Sequence, residues 1–113
     1  MPGLKLKCKI WIDNGGKAFG DGPMEILTRI ETTGSLKKAA EEMGMSYSQA
    51  WHLIKSLEKR LGFKLLERRV GGRAGGGSRI TEDAVLLMER FAAFRDRTDR
   101  MMQEYFEEYF GEK

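Results

Sequence analysis

Two neighbouring stretches of the chain hold the side chains that are best suited to chemistry. From Ser46 to Lys59, hydroxyl, amide, imidazole and ammonium groups recur at helical spacing, and from 63 to 81 arginines flank a run of glycines. Hydroxyl and amide groups can hydrogen-bond to base edges, while ammonium and guanidinium groups pair with phosphates. We therefore predict a surface that binds DNA. Its candidate residues are Ser46, Tyr47, Ser48, Gln49, His52, Lys55, Lys59, Arg68, Arg69, Arg73 and Arg79.

The sequence does not predict a catalytic or metal site. No nucleophile, base and orienting group occur together, and the lone histidine, His52, falls on the predicted DNA-binding face. A single cysteine, Cys8, excludes an internal disulfide, and one cysteine with one histidine cannot form a usual zinc site. The glycine run is not followed by Lys and then Ser or Thr, as a phosphate-binding P-loop requires. We expect no enzymatic activity and no cofactor.

The candidate residues from Ser46 to Lys59 must be positioned by a helix-turn-helix, which we predict from 36 to 61. It places a small residue, Ala40, where two helices would touch, and Gly44 where the turn needs a positive φ. Ser46 and Gln49 can form a capping box that starts the second helix. The apolar positions of the motif hold Ala39, Met43, Met45, Ala50 and Leu53. Paired amphipathic helices also occur in proteins that never touch nucleic acid. Whether this pair binds DNA must therefore be judged from the neighbouring elements.

A hairpin directly after the second helix is predicted from 63 to 81. Residues 63–70 are expected to form a strand, 71–78 a glycine-rich loop and 79–81 a returning strand. In this place such a hairpin is the wing of a winged helix, with arginines for charge and glycines for close approach to the sugar-phosphate backbone or the minor groove. The alternative is a flexible, solvated hairpin. Helical spacing sets Trp51 beside the wing, where we favour packing over a base contact.

The distribution of charge supports the same interpretation. The 113 residues carry a net charge of +3, with 41% hydrophobic residues, as expected of one small globular domain. Residues 1–35 carry five basic and four acidic groups, residues 36–80 ten and four, and residues 81–113 five and nine. The basic charge therefore coincides with the helix-turn-helix and the wing. We find no signal peptide and no apolar run long enough for a membrane span, and we expect a cytoplasmic protein.

The remaining elements complete a mainly α fold with small β hairpins. Apolar residues alternate with lysines from Leu4 to Ile12, and Asn14-Gly15 is a strong turn signal, so we predict an N-terminal hairpin over 4–20. A first helix follows from Asp21 to Gly34. We predict a winged helix-turn-helix domain over 1–81 and a long C-terminal dimerisation helix over 82–110.

The C-terminal helix is longer than so small a core can cover. Thr81 is its expected N-cap, and its length corresponds to about 42 Å at roughly 1.5 Å per residue. We expect the excess to pack on the same helix of a second copy, giving a two-fold homodimer; docking of a different protein is the alternative. The predicted dimerisation residues are Leu87, Met88, Phe91, Phe94, Met101, Met102 and Tyr105.

Several short motifs together carry a resemblance to a known family. They are Gly34-Ser35, Ala39-Ala40 before Met43-Gly44-Met45, Ser46-Tyr47 with Ala50-Trp51, Glu67-Arg68, and the glycine pattern 71–77 leading to Ile80-Thr81. Over residues 4–105 the chain resembles the N-terminal winged-helix domain of the molybdate-responsive (ModE-type) transcriptional regulators, and more distantly LysR-type regulators. The resemblance implies a dimer whose recognition helix enters the major groove with Ser46 to Gln49 at its groove-facing start.

The sequence also departs from that family. Its full-length members continue into a β-rich domain that binds molybdate, whereas this chain stops at Lys113. If the chain is complete, we expect it not to sense molybdate itself or to rely on a separate effector-sensing protein. If it is an excised domain, the sensor has been removed.

The sequence as a whole predicts a sequence-specific transcriptional regulator that binds double-stranded DNA as a homodimer. Helix 46–61 would read the major groove, and wing 70–79 would contact the backbone or the minor groove. The alternative is a winged-helix protein-interaction module without specific DNA binding.

Overall fold

The computed structural model describes residues 1–69 and 77–112, and for Arg69 it describes only the backbone. Within these residues the fold is mainly helical, with two small antiparallel hairpins and one long C-terminal helix, which confirms the predicted fold class. The elements are β1 (Trp11–Asp13), β2 (Lys17–Gly20), α1 (Asp21–Thr33), α2 (Leu36–Glu42), α3 (Tyr47–Leu61), β3 (Leu66–Arg69), β4 (Gly77–Ile80) and α4 (Glu82–Phe110).

Local capping sets the boundaries of the helix-turn-helix. The Ser35 side chain accepts a hydrogen bond from the Lys38 backbone N–H and starts α2. Ser46 and Gln49 cap each other reciprocally at the start of α3. Between the two helices Gly44 has a φ of +69°, a left-handed conformation that glycine adopts without steric cost. The predicted helix-turn-helix is therefore present, with each helix beginning where its capping residue requires.

The core lies where α1, α2 and α3 meet the first half of α4. Ala39, Ala40 and Ala50 are fully buried, so that α2 and α3 approach closely. Phe19 of β2 packs edge-on against Phe91 of α4, with ring centroids 5.2 Å apart. The other buried apolar residues are Ala18, Ile26, Leu27, Ile30, Leu36, Ile54, Leu57, Leu65, Ile80, Ala84 and Met88.

The N-terminal hairpin is shorter than the sequence predicted. The β1–β2 pairing runs only from Trp11 opposite Gly20 to Asp13 opposite Lys17, because α1 begins at Asp21 and leaves no strand to pair with residues 4–10. This leading segment instead lies along α4. The Met1 amino group donates to the Phe110 carbonyl (3.0 Å), at the far end of that helix.

An arginine of α4 holds the same leading segment in place. Arg95 donates to the Cys8 carbonyl (2.8 Å) and to both carboxylate oxygens of Asp21 (3.1 and 3.2 Å), and it also pairs with Asp99. The hydrogen bond to Asp21 raises the pKa of the Arg95 guanidinium above its usual value. One side chain therefore ties the N-terminal segment, the start of α1 and the middle of α4 together.

The long helix α4 begins in the core and then leaves it. Its N-cap, Thr81, is buried, accepts from the Ala84 backbone N–H (3.0 Å) and donates to the Lys64 carbonyl (2.7 Å). Beyond Phe91 its apolar side chains are largely exposed, and the molecule extends 61 × 27 × 21 Å. The structure thereby corrects two predicted dimerisation residues: Met88 (6% exposed) and Phe91 (3% exposed) lie in the core of their own chain.

None of the helices that the structure describes has a long enough apolar, uncharged stretch to cross a lipid bilayer.

Candidate nucleic-acid interface

The outward face of α3 carries all of the predicted DNA-binding residues of the helix-turn-helix. Ala50, Ile54 and Leu57 are fully buried and fix the opposite face against the core. The exposed residues are Ser46, Tyr47, Ser48, Gln49, His52, Lys55 and Lys59. The structure thus brings these residues together on one open helical surface, which presents hydroxyl, amide, imidazole and ammonium groups.

The capping box limits what two of these residues can offer to a base. Ser46 Oγ accepts a hydrogen bond from the Gln49 backbone N–H (3.0 Å), and Gln49 Oε1 accepts from the Ser46 backbone N–H (2.9 Å). A bidentate contact to adenine would need both the amide oxygen and the amide nitrogen of Gln49. With its oxygen engaged, Gln49 presents Nε2 as a donor, which suits an acceptor on a base edge.

The wing hairpin stands directly beside α3. Strands β3 and β4 pair antiparallel, with Leu66 opposite Ile80 and Arg68 opposite Ser78. The Ser78 backbone N–H also donates to the Gly34 carbonyl (3.0 Å), which attaches β4 to the turn between α1 and α2. Of the predicted wing residues, Arg73 and the side chain of Arg69 lie outside the described part of the chain.

The two wing arginines whose side chains are described border different surfaces. Arg68 is exposed and lines the groove between the wing and α3, together with Lys37 and Lys55. Arg79 pairs with the Glu67 carboxylate (3.1 Å) and lines a second depression that includes Asp83 of α4. An exposed ion pair of this kind contributes little stability, so Arg79 can exchange it for a phosphate. The geometry nevertheless joins Arg68, rather than Arg79, to the surface of α3.

Glu58 connects the recognition helix to the wing and was not identified from the sequence. Its Oε2 accepts from the backbone N–H groups of Leu65 (2.7 Å) and Leu66 (3.4 Å), and its Oε1 pairs with Lys55 Nζ (3.2 Å). The side chain is only 10% exposed. A sequence signal exists, since a carboxylate in the last turn of a helix opposes the helix dipole and needs another partner to be favourable.

The N-terminal hairpin supports the other end of α3. Asn14 Nδ2 donates to the Arg60 carbonyl (2.8 Å), and Arg60 Nη1 donates to the Lys17 carbonyl (3.0 Å). The first of these bonds satisfies a carbonyl in the last helical turn, where intrahelical donors run out. The hairpin that the sequence predicted therefore serves to hold the C-terminal end of α3.

Replacing Glu58 by alanine is expected to lower the free energy of unfolding by about 1–3 kcal/mol, because the partly buried Leu65 N–H loses its acceptor. Urea denaturation followed by circular dichroism measures this change. Glu58→Gln is the matched variant, since its amide oxygen can still accept one bond and should restore part of the loss. Equal stability of the Ala variant and the wild type would show that the carboxylate does not hold the wing.

The arrangement of these elements defines the class of the protein. Two helices at a glycine turn, an exposed polar face on the second helix and an antiparallel hairpin directly after it form a winged helix-turn-helix. Residues 23–84 match the family of bacterial regulatory helix-turn-helix proteins of the lysR family, and the chain belongs to this family.

Curated relatives agree with this assignment and confirm the resemblance seen in the sequence. The chain is 41% identical over 63 residues to the molybdenum transport protein ModE of Herbaspirillum seropedicae, covering 56% of this chain and 23% of that protein. It is 30% identical over 88 residues to the DNA-binding transcriptional dual regulator ModE of Escherichia coli (strain K12), covering 78% of this chain and 31% of that protein. It is 27% identical over 94 residues to the molybdenum-pterin-binding protein MopB of Rhodobacter capsulatus, covering 83% of this chain and 35% of that protein.

The chain spans between 23% and 35% of the length of these three relatives. At the level of the family, the predicted class of DNA-binding transcriptional regulators is confirmed, since both the family description and the name of the Escherichia coli relative are those of regulators.

Proposed function

We propose that this chain binds duplex DNA in a sequence-specific manner and regulates transcription, with α3 in the major groove and the wing against the adjoining backbone or minor groove. The observation that carries the proposal is the open face of α3. Polar and basic side chains cover it from Tyr47 to Lys59, while the buried face is fixed by alanine and aliphatic residues. A helix supported on one side and free on the other can enter a groove about 12 Å wide.

Charge supports the same proposal. Lys55, Lys59 and Arg68 are exposed on α3 and the wing, and residues 36–80 as a whole carry ten basic and four acidic groups. Three of these four acids are already paired: Glu42 with Arg29 of α1, Glu58 with Lys55 and the wing backbone, and Glu67 with Arg79. The net positive potential supplies the non-specific attraction on which base reading builds.

Selection of binding sites from random duplex DNA, followed by titration of the selected site at two salt concentrations, tests this proposal. We expect an enriched sequence with two-fold symmetry and an affinity that falls steeply with salt. A pool that shows no enrichment, together with weak binding whose affinity does not change with salt concentration, would contradict sequence-specific DNA binding.

We further propose that the chain acts as a homodimer through the distal part of α4. Of the predicted dimerisation residues, those that remain open there are Phe94 (49% exposed), Met101 (44%), Met102 (38%) and Tyr105 (57%); Tyr109 and Phe110 are exposed further along the helix. Leu87 is half-buried and packs against the core, so only part of its side chain is available to a partner. An apolar stripe of this size on a helix that extends beyond its own core is typical of a self-association surface.

Replacing Met101 by glutamate is expected to dissociate the dimer, because a charge would be buried without a partner. Analytical ultracentrifugation should show a shift from dimer to monomer at micromolar concentration. Gln103→Glu is the control: it adds the same charge on the opposite side of α4, at 100° per residue, and should leave the dimer intact. A wild-type chain that sediments as a monomer would contradict the dimer.

We propose that DNA binding by this chain needs no metal or organic cofactor. The hydroxyl, amide and ammonium groups of α3 can make the contacts themselves. Dialysis against a chelator should therefore leave DNA affinity unchanged, and a loss of affinity that a metal restores would overturn this point. The separate effector-sensing protein expected from the sequence stays a prediction.

A further inference from the structure

Two large aromatic side chains on α3 are exposed. Tyr47 is 55% exposed and Trp51, one turn later, is 42% exposed. The described contacts of the Trp51 ring are local: its ring meets His52 edge-on at 5.3 Å, and Lys55 Nζ lies 5.5 Å from its centroid. Large apolar surface left in water is unfavourable, so such residues on a binding face commonly contact a ligand.

Both rings line the groove between α3 and the wing. Trp51 does lie beside the wing, as the sequence predicted, but nearly half of its surface remains open. Among the described residues, the groove therefore keeps an apolar surface that β3 and β4 do not cover.

The chemistry of this groove fits the edge of a DNA duplex. Lys37, Lys55 and Arg68 stand along it and are suited to phosphates, while the Glu67 carboxylate is already paired with Arg79. The apolar rings lie among these cations on the helix proposed to enter the major groove. In that groove the one apolar group on a base edge is the 5-methyl group of thymine.

We infer that Trp51, assisted by Tyr47, reads thymine by contact with its 5-methyl group and so determines part of the sequence preference. This inference rests on the proposed function, since it requires α3 to lie in the major groove. It differs from hydrogen-bond readout by Gln49 or His52 because an apolar ring distinguishes thymine from uracil, whose hydrogen-bonding groups are the same.

Replacement of each thymine in the selected site by deoxyuridine, one position at a time, tests the inference. For the wild-type chain we expect at least one position per half-site where loss of the methyl group weakens binding about fourfold, the value for one buried methyl-sized group. Trp51→Ala should bind more weakly and no longer distinguish the two bases at that position. Lys59→Ala is the control, since it should weaken binding to all sites yet keep the fourfold ratio.

Trp51→Leu is a second variant in case Trp51→Ala fails to fold, because its apolar side chain should retain part of the response to the methyl group. Circular dichroism checks that all three variants are folded. A methyl response that persists in Trp51→Ala, or a selected site without any methyl-sensitive thymine, would overturn the inference and leave the proposed function standing. A wild-type chain that binds no duplex would overturn both.

Discussion

Replacing Phe91 by alanine is expected to lower the free energy of unfolding by about 3–5 kcal/mol. The ring is 3% exposed and packs edge-on against Phe19, so it joins the N-terminal hairpin to α4. Its removal would leave a cavity between β2 and α4. Urea denaturation at two protein concentrations measures the loss, because stability that comes from association depends on concentration and stability of the core does not.

Phe94→Ala is the matched control, three residues further along the same helix. Phe94 is 49% exposed, so its truncation should hardly change the concentration-independent stability and should instead weaken self-association. If Phe91→Ala and Phe94→Ala changed dimer dissociation alike and left the unfolding of the monomer unaltered, Phe91 would belong to the dimer interface after all.

Arg68→Ala is expected to weaken DNA binding about tenfold or more for each bound protomer, since a hydrogen bond to a charged group contributes about 1.5–3 kcal/mol. The loss should be similar for all sequences, and the slope of log affinity against log salt should fall by about one per protomer. Fluorescence anisotropy with a labelled duplex at several salt concentrations measures both quantities.

Two further variants serve as comparisons for Arg68→Ala. Lys7→Ala removes one positive charge from the exposed N-terminal segment along α4 and should change neither affinity nor slope. Arg79→Ala should have the smaller effect of the two wing variants, because Arg79 already pairs with Glu67 and borders another surface. A salt slope that Arg68→Ala leaves unaltered would remove Arg68 from the interface.

Much of the fold could be predicted because its boundaries depend on neighbours in the sequence. Ser46 and Gln49 form the capping box, Gly44 adopts the positive φ, and Thr81 caps α4, all as expected. These features involve residues within a few positions of each other, where residue type alone determines which hydrogen bond or backbone angle is favourable. The outward face of α3 followed from the same local periodicity.

The features that escaped prediction depend on residues distant in the sequence. The alternation of residues 4–12 is that of a strand, but pairing requires a partner, and the start of α1 at Asp21 leaves none for 4–10. Met88 and Phe91 are buried in the core, and the burial of Phe91 depends on where Phe19 lies. A helical apolar pattern cannot show whether its partner is the chain's own core or another molecule.

The bonds from Glu58 to the backbone of Leu65 and Leu66, where the wing begins, have a consequence for how DNA shape would be recognised. They tie α3 to the start of the hairpin, so the offset between the helix and this part of the wing exists before the duplex arrives. A preformed site loses little conformational entropy on binding. The deformation then falls on the DNA, whose stiffness varies with sequence. Base steps between α3 and the wing, although untouched by any side chain, would thus contribute to selectivity. Their contribution would depend on how easily the DNA bends there or its minor groove narrows.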